Sequence, residues 1–300
     1  MNDDNKMKKI AFIHEPSSTG PVGDFSPVTS VFSHYELGNT VSPFLLLDHL
    51  GPGTLQPTRL RKGVLEHPHR GFETITFVYK GEIEHRDSTG AGGVIQPGDV
   101  QWMTAASGVL HEEVFSEAFS KTGGSFELLQ LWVNLPSKDK MNPARYQSLS
   151  KAMIPRLNLD NDHDNGSFLR VIAGEHLQQK GPALTHTPLQ VIDGYFKAGQ
   201  SHQFDAKEGE TTLIYLRSGR MVFEGEDTLL DAQQMAVLTN QGEQVQLTAV
   251  QDTQFLYLSG APLNEPLYGR GYFVMNTFQE VLQAYEDLKN NQFIDSNETK

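Results

Sequence analysis

Two short runs of this chain carry side chains suited to holding a metal ion. The first is His67-Pro68-His69, followed by Arg70, Gly71, Phe72 and Glu73; the second is Gly108-Val109-Leu110-His111-Glu112-Glu113. In an extended strand, successive side chains point to opposite faces, so His67 and His69 share a face. By the same alternation His111 and Glu113 share a face, and Glu112 points away. If the two runs are neighbouring strands, three imidazoles and one carboxylate converge. Three neutral nitrogens and one oxygen suit a borderline divalent metal: iron, manganese, nickel, copper or zinc. A four-ligand set leaves positions open for chemistry.

The surrounding chain reads as strands that position these runs. The apolar stretch at residues 41–48, the run at 72–79 ending in the Lys80-Gly81 turn, and residues 100–104, 110–115 and 126–134 are rich in β-branched and aromatic residues. The 27 glycines and 15 prolines fall between such runs, which indicates an antiparallel sandwich or barrel. Residues 136–166 are polar and read as a connection with an exposed loop. Its acidic stretch 160–164 lacks the sixth-position glycine and terminal glutamate of a calcium-binding loop, so it reads as solvated.

Beyond residue 166 the pattern resumes as a second copy. The run from Thr74 through Gly81 to Ile83 matches the run from Thr212 through Gly219 to Met221, and Asp99 to Met103 matches Asp231 to Met235. The expected organisation is therefore an N-terminal barrel over 1–137, a linker over 138–166 and a C-terminal barrel over 167–300. By this count the places of His67 and His69 are taken in the second copy by Asp205 and Lys207, with His202 standing alone nearby, so the second barrel is expected to hold no metal. The chain closes with a helix: Phe278, Val281, Leu282, Tyr285 and Leu288 recur at helical spacing behind a Thr277–Glu280 capping box.

Composition bounds the function. Three hundred residues suffice for two domains, and the chain has no cysteine and a formal charge of −13. Disulfides, thiolate metal sites and cysteine nucleophiles are excluded. The negative charge disfavours nucleic-acid backbones, and the one basic cluster, Arg59, Arg61 and Lys62, reads as a solvated loop. No secretory signal or membrane-spanning run is visible, so a cytoplasmic protein is expected; a monomer is the default expectation, with the oligomeric state left open by the sequence.

The motifs themselves resemble a family. The run from His67 to Thr74, Gln96 to Thr104 with its Gln101-Trp102-Met103-Thr104 core, Gly108 to Glu113, and Leu129 to Leu135 are similar to the pirins, a branch of the cupins. Ser42 to Asp48 and Phe273 to Thr277 extend the likeness towards both ends. His49 departs from the acid frequent there, and Glu112 is an unusual second acid. The resemblance implies an all-β bicupin, with two antiparallel cupin barrels and a C-terminal helix. It also implies one Fe(II) in the N-terminal barrel held by His67, His69, His111 and Glu113, and it places Glu73 outside the ligand set.

The resemblance further implies a quercetin 2,3-dioxygenase-type enzyme that opens flavonols with dioxygen and releases carbon monoxide. The flavonol would bind through its 3-hydroxyl, and Glu113 would accept that proton. The alternative within the family is a non-catalytic, redox-sensing metal protein that binds a transcription factor or a metabolic enzyme; a sugar-binding or isomerase cupin does not fit the motif. Arg70 and Glu73 are expected either to contact the ligands or to pair at the surface. Trp102 and Trp132 are expected in the core, Phe44, Leu46 and Phe115 in the core or the pocket wall, and His14, His34, His85, His163, His176, His186 and His202 in structural or surface roles.

Overall fold

The computed structural model describes residues 6–162 and 165–294; residues 1–5, the His163 and Asp164 positions of the acidic loop, and the expected frayed end at 295–300 lie outside them. The chain forms two compact units, one of Ser17–Asn39, Phe44–Lys151 and Leu263–Lys300, the other of Met1–Pro16, Thr40–Pro43 and Ala152–Pro262. Each contains one seven-stranded and one four-stranded sheet, so the expected barrels are two-sheet cupin sandwiches without full closure.

In the first unit the seven-stranded sheet runs Arg145–Leu149, Val100–Thr104, Phe72–Lys80, Gly124–Asn134, Phe44–Leu55, Phe25–Ser33, Ser18–Val22. The smaller sheet runs Gly63–His69, Val109–Phe115, Ile83–Asp87, Gly92–Ile95. Apolar residues from both close the core between them: Phe25, Val28, Leu50, Val78, Phe126 and Leu128 from one, Ile83, Ile95 and Phe115 from the other. The second unit repeats this order strand for strand, and Ile10–His14 stands at the sheet edge that Arg145–Leu149 occupies in the first.

The expected boundaries at 137 and 167 therefore shift. Residues 138–166 contribute an edge strand to each unit, Arg145–Leu149 beside Val100–Thr104 and Arg156–Asn158 beside Phe168–Ala173. The N-terminal strand Ile10–His14 pairs with Met235–Leu238 of the second unit, and the C-terminal segment belongs to the first. Edge ladders left open by local sequence are completed by distant strands.

The internal repeat is present with a corrected alignment. Phe77 faces Val100 and Tyr215 faces Met235. Gly98 N donates to Val78 O as Gln233 N donates to Leu216 O, and both turn residues have positive φ, 94° and 67°. Asp99 thus corresponds to Gln234 rather than Asp231. In the small sheets, Phe204 faces Val245 and Leu247 faces Phe223, as His67 faces His111 and Glu113 faces His85. The second unit accordingly places Phe204, Ala206, Val245 and Leu247 where the first has His67, His69, His111 and Glu113, and all four lie in its apolar core. Asp205 and Lys207 are one residue out of step, on the exposed face.

The closing helix is Phe278–Lys289, with both halves of the Thr277–Glu280 capping box formed. Its packed face is Val281 and Ala284 with Leu288, against Phe273, Met275, Phe293 and Leu110. Phe278, Leu282 and Tyr285 stay 37–40% exposed, so the apolar stripe is only partly covered. Short helical turns at His34–Leu37 and Glu117–Thr122 add to the one helix expected. Among the described residues no helix is long and apolar enough to cross a membrane.

Candidate metal centre

The small sheet of the first unit builds the site through register. His67 lies opposite His111, and on the other side of the same strand His111 lies opposite Asp87. One ligand nitrogen from each of His67, His69 and His111 falls within 4.8 Å of the others. His69 and His111 are buried, whereas His67 is half-buried and opens the group to solvent. Gly71 ends the motif for a steric reason: its φ is +91°, and a Cβ would stand 2.0 Å from the Val274 carbonyl oxygen.

Each ring is oriented by a partner on its other nitrogen. His67 Nδ1–H donates to the Leu65 carbonyl at 2.8 Å and His69 Nδ1–H to the Tyr272 carbonyl at 3.4 Å. His111 Nδ1 lies 3.5 Å from His85 Nδ1, and His85 Nε2 lies 3.0 Å from Asp87 Oδ2, a carboxylate–imidazole–imidazole chain. With Nδ1 engaged, Nε2 is the free lone pair, and His111 Nε2 is buried without a partner. Burial, and then the neighbouring imidazoles, push His69 and His111 well below the ordinary histidine range. Three imidazoles with their Nε2 atoms left for coordination, two of them held neutral by burial, fit a divalent metal.

Glu113 stands apart from this convergence. It is on the same strand, but Gln101 Nε2 and Thr76 Oγ1 donate to its Oε1 at 2.6 and 2.8 Å, and Gln130 Nε2 donates to its Oε2 at 2.7 Å. These donors belong to a polar row across five adjacent strands: Gln101 faces Thr76, Thr76 faces Gln130, Gln130 faces Asp48 and Asp48 faces Ser30. Tyr146 Oη continues the chain to Gln101 Oε1 at 3.3 Å. Asp48, Glu113, Thr76 and Gln130 line a cavity of about 20 Å³ among apolar residues, and burial raises Asp48 to about 6.

Glu73 alternates onto the face of its strand opposite Thr76. It accepts from Thr104 Oγ1 at 2.6 Å and is raised to about 7 by burial. Arg70 is no surface partner of Glu73: it is buried, bonds Asp287 at 2.6 Å and covers the Phe293 ring at 4.5 Å. Trp102 is core, whereas Trp132 packs edge-on against His69 at 5.2 Å. Phe44 is buried and Phe115 belongs to the apolar core. Glu112 faces away and pairs with Arg61, as alternation requires. His202 does not stand alone: its Nε2 lies 2.8 Å from that of His176.

The polar row, His85, Asp87 and Tyr272 escape a motif search. His85 and Asp87 sit two apart on the strand beside His111, so the alternation that paired His67 with His69 would have found them. Tyr272 arrives from the far end of the chain, and nothing local announces it.

The fold and site together define a bicupin with, among the described residues, one three-histidine metal centre candidate, in the first unit. The chain belongs to the pirin family: the pirin model matches residues 26–133 and the pirin C-terminal cupin domain matches residues 191–294. A Pseudomonas aeruginosa protein provisionally named quercetin 2,3-dioxygenase is 52% identical over 96% of this chain and 99% of its own. Human pirin is 38% identical over 85% of this chain and 83% of its own. The crystal structure of a quercetin 2,3-dioxygenase from Acinetobacter baumannii superposes with a TM-score of 0.92 at 48% identity, over 96% of this chain and 98% of that one.

Proposed function

We propose that the protein is a quercetin 2,3-dioxygenase-type enzyme, with His67, His69 and His111 holding one iron(II). The observation that carries this is the convergence of the three histidine ligand atoms within 4.8 Å, in a chain so similar to proteins bearing that name. Bound there, the metal would supply Lewis acidity towards the flavonol 3-hydroxyl and one-electron chemistry towards dioxygen. The chain's own contribution is positional. His85 and Asp87 hold His111, the Leu65 and Tyr272 carbonyls hold His67 and His69, and half-buried His67 leaves an approach for substrate.

Glu113 is assigned the proton of the 3-hydroxyl. Its three donors hold it as an acceptor two residues along the strand from His111. The same carboxylate is the fourth ligand candidate. Ring opening consumes one dioxygen, breaks two carbon–carbon bonds, and yields a depside and carbon monoxide.

The test mixes iron-loaded protein with quercetin in air and follows flavonol absorbance and oxygen uptake. Many turnovers, lost in the His67→Ala/His69→Ala double variant and in zinc-substituted protein, are expected. Metal bound without turnover would replace this reading with the metal-dependent regulator and direct the search to a protein partner.

A further inference from the structure

The C-terminal segment of the first unit returns to the metal centre at one turn. Between the strands Tyr268–Arg270 and Phe273–Met275 the chain reverses at Gly271, with φ +59°, and Tyr272. The Tyr272 backbone is fastened to the ligand strand: its carbonyl accepts from His69 Nδ1 at 3.4 Å and from Arg70 N at 3.3 Å. Val274 N donates to Arg70 O at 3.0 Å, Gly271 N donates to Tyr35 Oη at 2.9 Å, and Tyr285 Oη donates to Arg270 O at 3.2 Å. The turn is pinned from three sides, yet the Tyr272 side chain is left out of that fastening and the residue is 47% exposed.

Its ring centroid lies 5.6 Å from His67 and 5.9 Å from His69. A half-exposed aromatic face on a pinned backbone, beside the most open of the three imidazoles, has the features of a stacking platform. Aromatic pairs prefer offset or edge arrangements at 4.5–7 Å, and a tyrosine offers large contact area with little conformational entropy to lose.

We propose that Tyr272 is the aromatic clamp of this site. Its ring binds a face of a planar polyphenol whose acidic hydroxyl points to the three histidines, while its carbonyl sets the His69 tautomer. The clamp deepens the dioxygenase reading and rests on it. The two roles separate by mutation, because Tyr272→Leu removes the ring and keeps the carbonyl, and Tyr272→Phe keeps both.

The experiment titrates quercetin into zinc-loaded wild type, Tyr272→Leu and Tyr272→Phe, following the flavonol absorbance, with zinc content measured on the same samples. In Tyr272→Leu the quercetin Kd is expected to rise roughly three- to ten-fold, the range of one aromatic pair. Tyr272→Phe should stay within about two-fold of wild type, with zinc content equal in all three. Quercetin binding in Tyr272→Leu as tight as in wild type overturns the clamp alone. Wild type that holds zinc and binds no quercetin overturns both the clamp and the dioxygenase reading. A loss of zinc in Tyr272→Leu overturns the division of roles between ring and carbonyl.

Discussion

Gln101 and Glu113 meet across the interior of the first unit, with Gln101 Nε2 donating to Glu113 Oε1 over 2.6 Å. Gln130 takes the other oxygen, so the carboxylate is gripped at both. Hydrogen bonds to a charged group contribute about 1.5–3 kcal/mol each. Gln101→Leu is therefore expected to lower unfolding free energy by about that amount in urea denaturation. Combined with Thr76→Val, which strips the same oxygen, the losses should depart from additivity because both donors serve one atom. A Gln101→Leu protein as stable as wild type would mean that the grip is incidental.

Asp48 stands in the same row between Gln130 and Ser30, and it predicts a pH dependence of the opposite sign to a salt-bridged acid. Burial raises it from 3.8 to about 6 in the folded protein. The folded state then holds a proton that the unfolded state releases, so its contribution to stability is complete below pH 4 and is lost as pH rises through 6. A two-unit shift is worth at most about 3 kcal/mol. Asp48→Asn, which stays neutral, should match wild type near pH 4 and exceed it above pH 7 when the two are compared by denaturation at each pH. A constant difference across that range would assign no titration to Asp48.

His85 and Asp87 carry the prediction for metal affinity. His85 stacks on Tyr146 at 4.7 Å and reaches His111 with one nitrogen and Asp87 with the other. Partners of ligating histidines are typically worth 10–100-fold in metal affinity. His85→Phe preserves the stacked ring and removes both nitrogens, so its affinity should fall by that factor in competition with a chelator. The Asp87→Asn loss should be smaller, since an amide oxygen still accepts from His85. Unchanged affinity in both would leave His111 oriented by its backbone alone.

How much of this was readable in advance follows from how locally each feature is encoded. His67, His69 and His111 were legible because alternation and one register bring them together, and the Thr277–Glu280 cap was legible because it spans one helical turn. The polar row was not: Ser30, Asp48, Thr76, Gln101 and Gln130 come from five strands, each contributing one residue that nothing within its own run sets apart from the other polar residues there. The Asp205 and Lys207 assignment failed by one residue, which in a strand is the whole face. The exchange of end strands could not be read either, since an edge ladder accepts any strand of compatible length and the choice is settled by tertiary packing.

Lys140 tests whether the returning C-terminal segment holds the ligand strand. Its Nζ is buried and donates to Gly71 O at 2.7 Å, Asn134 Oδ1 at 2.6 Å and Val274 O at 2.9 Å. Burial lowers its pKa to about 7, but only the protonated ammonium has three N–H groups for three acceptors. A folded pKa below the unfolded 10.5 means stability is lost as pH falls towards 7, so the three bonds offset a desolvation cost. Lys140→Met removes the cost and the bonds together, leaving each buried acceptor short by about 1–3 kcal/mol. The expected outcome is faster amide hydrogen exchange at Val274, which donates to Arg70 O, and at Arg70, which donates to Tyr272 O, with weaker metal retention although Lys140 bonds none of the three histidines. Wild-type exchange at both amides in Lys140→Met would show that Arg70, with Asp287 and Phe293, fastens the segment by itself.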